Sequence, residues 1–326
     1  MVVPLALPVV DLGTYIADPT SPAAKAECAK AAEALKTYGA LLVRDPRVPE
    51  SANHEFLDML EAYFEQPHDV KLQDVKPELS YQIGATPEFT EEPMCFRDAK
   101  LALLPSDRAV PEKSKYPALN APPVVPKAFE DRWLKVMDGY GQQLHDAVEL
   151  VAEVAAVGLG YEDPKAFVNK AKFGPHLLAP TGSDLARFNK LNTVFAGFHY
   201  DLNFLTIHGK SRYPGLHVWA RNTGVKMSVA VPDGCLLVQA GKQIELLTGG
   251  TLAAVERAKA AGRSLWRVSS TLFYHIASDV VLKPTGPFDT PERNAEYPAV
   301  DCGEYVRKEL ELIALADPNA TTRPSQ

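Results

Sequence analysis

Apolar residues fall at helical spacing in three stretches. SPAAKAECAKAAEALKT, residues 21–37, opens on Ser-Pro and continues in strong helix formers, which predicts a helix ending near Tyr38 and Gly39. ANHEFLDMLEAYFEQP, 52–67, predicts a second amphipathic helix stopped by Pro67. From 126 to 158, apolar positions recur at three and four residues and stop at a Gly-Leu-Gly, which predicts one long helix, straight or kinked at Gly139 and Gly141. ALLVRD, 40–45, has the length and composition of a short buried strand, and the Pro-containing MVVPLALPVVDLG at the front suits an edge strand. Residues 76–125 are rich in proline and charge without sustained periodicity, and are expected to be loop packed over the rest.

Beyond 158 the period changes. FHYDLNFLTIHG, GLHVWARN, MSVAVPDG, CLLVQAG, IELLTGG and SLWRVSSTLFYH read as β runs at intervals of about 8 to 12 residues. Strands following a helical half predict an α+β protein: a sandwich or jelly roll (double-stranded β-helix) with an N-terminal helical and strand region and flanking helices. The expected division is 1–125 for the N-terminal region and 126–326 for a helix, the β core and a C-terminal helix.

At 326 residues with 46% hydrophobic content the chain can bury a full core, and its charge of -7 contains no Lys/Arg block longer than a dipeptide. That balance argues against nucleic acid and anionic membrane as partners. No run approaches the roughly 20 apolar residues of a span. Cys28, Cys95, Cys235 and Cys302 lack any CxxC spacing and are expected to be reduced thiols in a cytoplasmic, monomeric protein.

The candidate chemistry is concentrated in two short motifs. FAGFHYDLNFLTIHG, 195–209, places His199 and Asp201 two apart in an apolar run, where an ionised carboxylate needs a partner or a metal. Arg267 and Ser269 are likewise two apart, so each pair shares one strand face; a guanidinium fork beside a hydroxyl suits a carboxylate. The bland alternatives are a hydrogen-bonded strand pair and a structural ion pair.

In their order these motifs resemble the isopenicillin N synthase-like branch of non-haem iron, 2-oxoglutarate-dependent dioxygenases. LPVVDLG (7–13), YGALLVRD (38–45) and YFEQPHDVK (63–71) resemble the family's front. FHYDLNFLTIHG resembles its HxDxxxLTxL segment, VPDGCLLVQAGKQIELLTGG (231–250) its PGxLxxxxGxxLExLTxG segment, WRVSSTLFYH (266–275) its RxSxxxFxxP strand, and YPAVDCGEYVRKEL (297–310) its C-terminal helix. The resemblance implies Fe(II) held by His199 and Asp201, and 2-oxoglutarate held by Arg267 and Ser269 with Asn189 or Asn192 at its near end. It also implies dioxygen and a small organic substrate that is hydroxylated or desaturated.

The resemblance breaks at the third metal ligand, a histidine in the family. TLAAVERAKAAGRSLW, 251–266, contains none, and the ligand position falls at Arg257, which cannot bind a cation. Its Ala/Glu/Arg/Lys composition predicts a helix over 251–261 near the mouth, as if a histidine strand were missing and the insertion after it retained. Glu256 is the suitable neighbour, one register off. His275, eight residues past Arg267, would lie about 26 Å further along a continuous strand; His208 has the wrong strand parity and His217 lies across a turn. Two other readings follow: a catalytically impaired or inactive binding protein on the same scaffold, or a zinc hydrolase, in which Arg-x-Ser has no evident task.

Overall fold

The computed structural model describes residues 3–77, 83–86, 98–102, 123–186, 194–213, 215–219, 226–252, 256–260 and 266–312. At the front, β1 (Val3–Leu5), β2 (Val9–Asp11) and α1 (Leu12–Ala17) precede the first long helix, α2 (Pro22–Tyr38). The Ser21 hydroxyl accepts from the Ala24 N–H at its start, and Gly39 closes it at φ 69°, a left-handed cap that favours glycine. β3 (Ala40–Arg44), α3 (Glu50–Phe64) and α4 (His68–Leu72) follow, with Pro67 between the two helices as expected. α5 (Trp133–Gly158) is continuous through Gly139 and Gly141. A Cβ on Gly158 would stand 2.0 Å from the Cys28 carbonyl oxygen, so glycine there lets α5 lie close along α2.

Residues 76–125, expected as loop, contribute two short strands among the described residues: β4 (Gly84–Thr86) and β5 (Asp98–Ala102). β5 pairs with the edge of a later strand, whose free backbone groups organise a sequence lacking periodicity of its own. The later elements are α6 (Ala166–Ala171), β6 (Leu177–Leu178), β7 (Thr181–Asp184), β8 (Val194–Tyr200), β9 (Leu205–His208), β10 (Leu216–Trp219), β11 (Lys226–Val229) and β12 (Leu236–Ala240). After them come α7 (Lys242–Leu247), β13 (Glu256–Ala260), β14 (Trp266–Ser269), β15 (Thr271–Tyr274), the small pair β16 (Val281–Leu282) and β17 (Val300–Asp301) flanking α8 (Pro291–Glu296), and α9 (Cys302–Leu312).

Two expectations are corrected. IELLTGG is helical: Ile244 and Leu247 bury one turn's spacing apart, Lys242 pairs with Glu245, and Gly249 and Gly250 end the turn at φ 52° and 71°. The helix expected over 251–261 is instead strand β13 from Glu256. It fills the slot between β8 and β10, whose facing edges would otherwise carry unpaired N–H and C=O groups. Pairing along both of its edges outweighs the helix propensity of so short a segment, which tertiary context overrides readily.

The strands form a five-stranded sheet ordered β1-β11-β10-β13-β8, a six-stranded sheet ordered β2-β3-β12-β9-β15-β6, and a four-stranded sheet ordered β14-β7-β5-β4. The first two face each other across an inner cluster of Leu7, Ala40, Leu42, Val218, Val229 and Leu237. The other face of the six-stranded sheet joins a much larger core with α2, α3 and α5. No helix among the described residues is long and apolar enough to cross a membrane.

Candidate active site

The two apolar clusters decide where each strand's side chains point. Leu205, Ile207, Val238, Leu272 and Tyr274 belong to the helix-facing core, and Leu42 and Leu237 to the inner cluster. Alternation along a strand then turns Thr206 and His208 of β9, Gln239 of β12, and Thr271 and Phe273 of β15 inward. The register agrees: Gln239 stands opposite Thr206, and His208 opposite both Leu237 and Thr271. Val268 faces the helices, so Arg267 and Ser269 share the inward parity of Thr271. Both are buried, at 2% and 5% exposure.

On the opposing sheet, Val218 of the inner cluster starts a cross-strand row that runs through Arg257 to His199. Asp201 follows where β8 ends. Its Oδ1 lies 3.7 Å from His199 Nε2, and its Oδ2 accepts a 2.7 Å hydrogen bond from the Thr206 hydroxyl. The turn is clamped by α7: the Lys242 N–H donates to the Asp201 carbonyl and the Gly241 N–H to that of Phe204. A Cβ on Gly241 would stand 2.1 Å from the Asn203 carbonyl oxygen, so this approach requires glycine.

Thr206 thus joins the His199–Asp201 pair to the inward polar file of β9, β12 and β15. Within it His208 Nε2 lies 2.7 Å from Gln239 Oε1 and Nδ1 lies 3.0 Å from the Thr271 hydroxyl. With the amide oxygen accepting, Nε2 carries the proton and Nδ1 accepts from Thr271. Sequence parity set His208 aside; the turn at 201–204 resets the count, and a continuous-strand argument across it fails. His275 was set aside on distance, yet the strand breaks at Ser270 and His275 comes within electrostatic reach of Asp201. Burial pushes its pKa down to about 4, opposed by the Asp201 charge, so it is neutral at pH 7.

Glu256 stands opposite Tyr200 and Arg257 opposite His199, so the register gives the ligand row to the arginine. Among the described residues, the trio of metal-ligating side chains brought within 4.8 Å of one another is His145, Asp146 and Glu149 on α5, not a set containing His199 and Asp201. Arg47 already supplies a cation beside Asp146 and Glu149. Asn189 and Asn192 lie outside the described residues.

Comparison with known proteins supplies the context. Residues 7–122 match the family described as non-haem dioxygenase in morphine synthesis, N-terminal. Mugineic-acid 3-dioxygenase of Hordeum vulgare is 30% identical over 110 residues, 34% of this chain and 32% of that enzyme, so the match spans about a third of its length. A 2OG-Fe(II) oxygenase family protein of Caulobacter crescentus superposes with a TM-score of 0.78 at 21% identity, covering 94% of this chain and 99% of that one. The sequence matches cover about a third of the chain, and over nearly its whole length the likeness to 2OG-Fe(II) oxygenases is one of fold. A full-length Neurospora crassa protein, solved in complex with alpha-KG and thymine, gives 0.77 at 16% identity over 94% of this chain and 97% of that one.

Another structural neighbour, 19% identical, was solved in complex with 2OG, Fe and JA. The donor set here fits iron at two adjacent positions: an imidazole and a carboxylate 3.7 Å apart, the carboxylate held by Thr206.

Proposed function

We propose that this chain is an iron- and 2-oxoglutarate-dependent oxygenase on a double-stranded β-helix, oxidising a small organic substrate by hydroxylation or desaturation. The observation that supports the reading is the His199–Asp201 pair, with Asp201 held by the inward Thr206, in a fold that also buries the Arg267 guanidinium and the Ser269 hydroxyl. His199 and Asp201 would hold Fe(II), which supplies the coupling of dioxygen reduction to oxidative decarboxylation of the keto acid. Arg267 and Ser269 would bind the distal carboxylate through a charge-assisted fork and a hydroxyl, fixing the keto acid's direction. Thr206 orients the Asp201 carboxylate by occupying Oδ2 and leaving Oδ1 on the His199 side.

A second reading is supported by the ladder row in which Arg257 faces His199: a binding protein that retains the keto-acid site without turnover. Anaerobic calorimetry with ferrous ion and 2-oxoglutarate, followed by an aerobic assay of succinate release, separates the two. Metal and keto acid binding with succinate formation supports the oxygenase; keto acid binding without iron retention or succinate supports the second reading. Failure to bind either ligand sinks both.

A further inference from the structure

Ser183 on β7 stands directly opposite Arg267 on β14, and Thr181 stands opposite Ser269. Cross-strand partners point to the same face of a sheet, with Cβ atoms about 4.5–5.5 Å apart. The face is set by the residue between them. Gly182 pairs with Val268, and a Cβ on it would stand 2.4 Å from the Phe64 ring, so the Gly182 side of β7 is pressed against α3. A slip of one residue would drive a side chain into that ring. Ser183 is therefore held on the Arg267 side.

Ser183 is completely buried, and its hydroxyl has no hydrogen-bond partner among the described residues. A buried hydroxyl left unpaired costs about 1–3 kcal/mol, so such a group calls for an explanation. The neighbouring guanidinium is a donor and cannot satisfy it as an acceptor of its proton. A carboxylate oxygen placed against Arg267 and Ser269 would.

We propose that Ser183 is a further keto-acid-binding residue, donating its hydroxyl proton to the distal carboxylate beside Arg267 and Ser269. The inference rests on the proposed function and adds a residue that the motif pattern does not point to.

The test compares wild type with Ser183→Ala and Arg267→Lys, in metal-loaded protein under nitrogen, by calorimetry and thermal melting. Hydrogen bonds to charged groups are strong, and loss of this one should weaken 2-oxoglutarate binding roughly 10- to 100-fold. Binding of 2-oxopentanoate, which has the same carbon chain without the distal carboxylate, should be unchanged by Ser183→Ala. Without ligand, Ser183→Ala should melt at the wild-type temperature or above, because it removes an unpaired group; a lower melting temperature would mean the hydroxyl serves the fold and overturns the proposal. Equal 2-oxoglutarate affinity in wild type and Ser183→Ala, with Arg267→Lys impaired, overturns it while leaving the oxygenase reading intact. No 2-oxoglutarate binding by wild type overturns both.

Discussion

The two facing sheets are built to different standards. Every inner strand of the six-stranded sheet has one face in the large helix-backed core, with Leu41, Val43, Val238, Ile207 and Leu272 all at 0% exposure. Its other face holds the buried polar file. Among the residues whose burial is described, the five-stranded sheet contributes Val218 and Val229 to the inner cluster, with Leu216 packed against it, and it places β8, carrying His199, at its edge. Tyr200 next to it is 46% exposed. On the proposed function, the inward polar file is preorganised by packing, whereas the proposed metal end depends on the clamped turn and on whatever ligand completes it. Affinity for a keto acid and affinity for iron are separable properties in such a molecule.

The sharpest way to break that contrast is at Arg257. Its place in the row opposite His199 makes it the position from which a third donor would reach a shared ion. Changes that merely reorient a ligand cost 10- to 100-fold in metal affinity, so supplying a missing one should gain more. Arg257→His is expected to tighten ferrous binding by more than about 100-fold and to raise succinate release in proportion, while 2-oxoglutarate affinity changes little. Calorimetry and the succinate assay on the pair of proteins decide it. Unchanged iron affinity would mean that wild type already has a third ligand.

A second effect is set by pH at the seam between the sheets. His275 is buried near Asp201, with the ring of His176 beside its strand, and its folded pKa of about 4 lies below the usual 6.5. Between those values the unfolded chain binds the proton and the folded chain does not. Stability from this group is therefore fully present above about pH 6.5 and is lost as pH falls toward 4, by about 3 kcal/mol in all. Urea unfolding at pH 7.5, 5.5 and 4.5 should show the decline in wild type and a flatter profile in His275→Gln. Parallel profiles would place the acid sensitivity elsewhere.

The same contrast explains what could be read from the chain. The six-stranded sheet and its helices follow from local signals: Ser21-Pro22 and Gly39 bound α2, Pro67 separates α3 from α4, and the short apolar run in CLLVQAG marks β12. The His199–Asp201 and Arg267–Ser269 pairs are legible as candidates because same-face spacing needs only the strand itself. β13 was not visible, since its residues favour a helix and become a strand only because two partners need pairing. The positions of His208, His275 and Ser183 carry no local signal for a related reason. Each is placed by a turn, a strand break or a cross-strand neighbour, none of which has a signature in the residue's own vicinity.

The smallest effect tests whether the polar file is a mechanical link between the two ends or a set of independent contacts. Thr206 sits at the junction: its hydroxyl holds Asp201 Oδ2 at 2.7 Å, and its backbone stands between Gln239 and Phe273 in the ladders of the rigid sheet. Thr206→Val preserves the branched shape and removes only the hydroxyl. Losing a hydrogen bond that orients a metal ligand costs about tenfold or more in metal affinity, and because β9 keeps its register the keto-acid end should be undisturbed. The expected result is weaker ferrous binding by roughly tenfold, with 2-oxoglutarate affinity within about twofold of wild type when metal is saturating. If both affinities fall together, the rigid sheet transmits the disturbance and the two ends are one unit. If neither changes, Asp201 is held by its turn alone, through the Lys242 N–H and the close approach at Gly241, and the rigid sheet contributes nothing to the metal end.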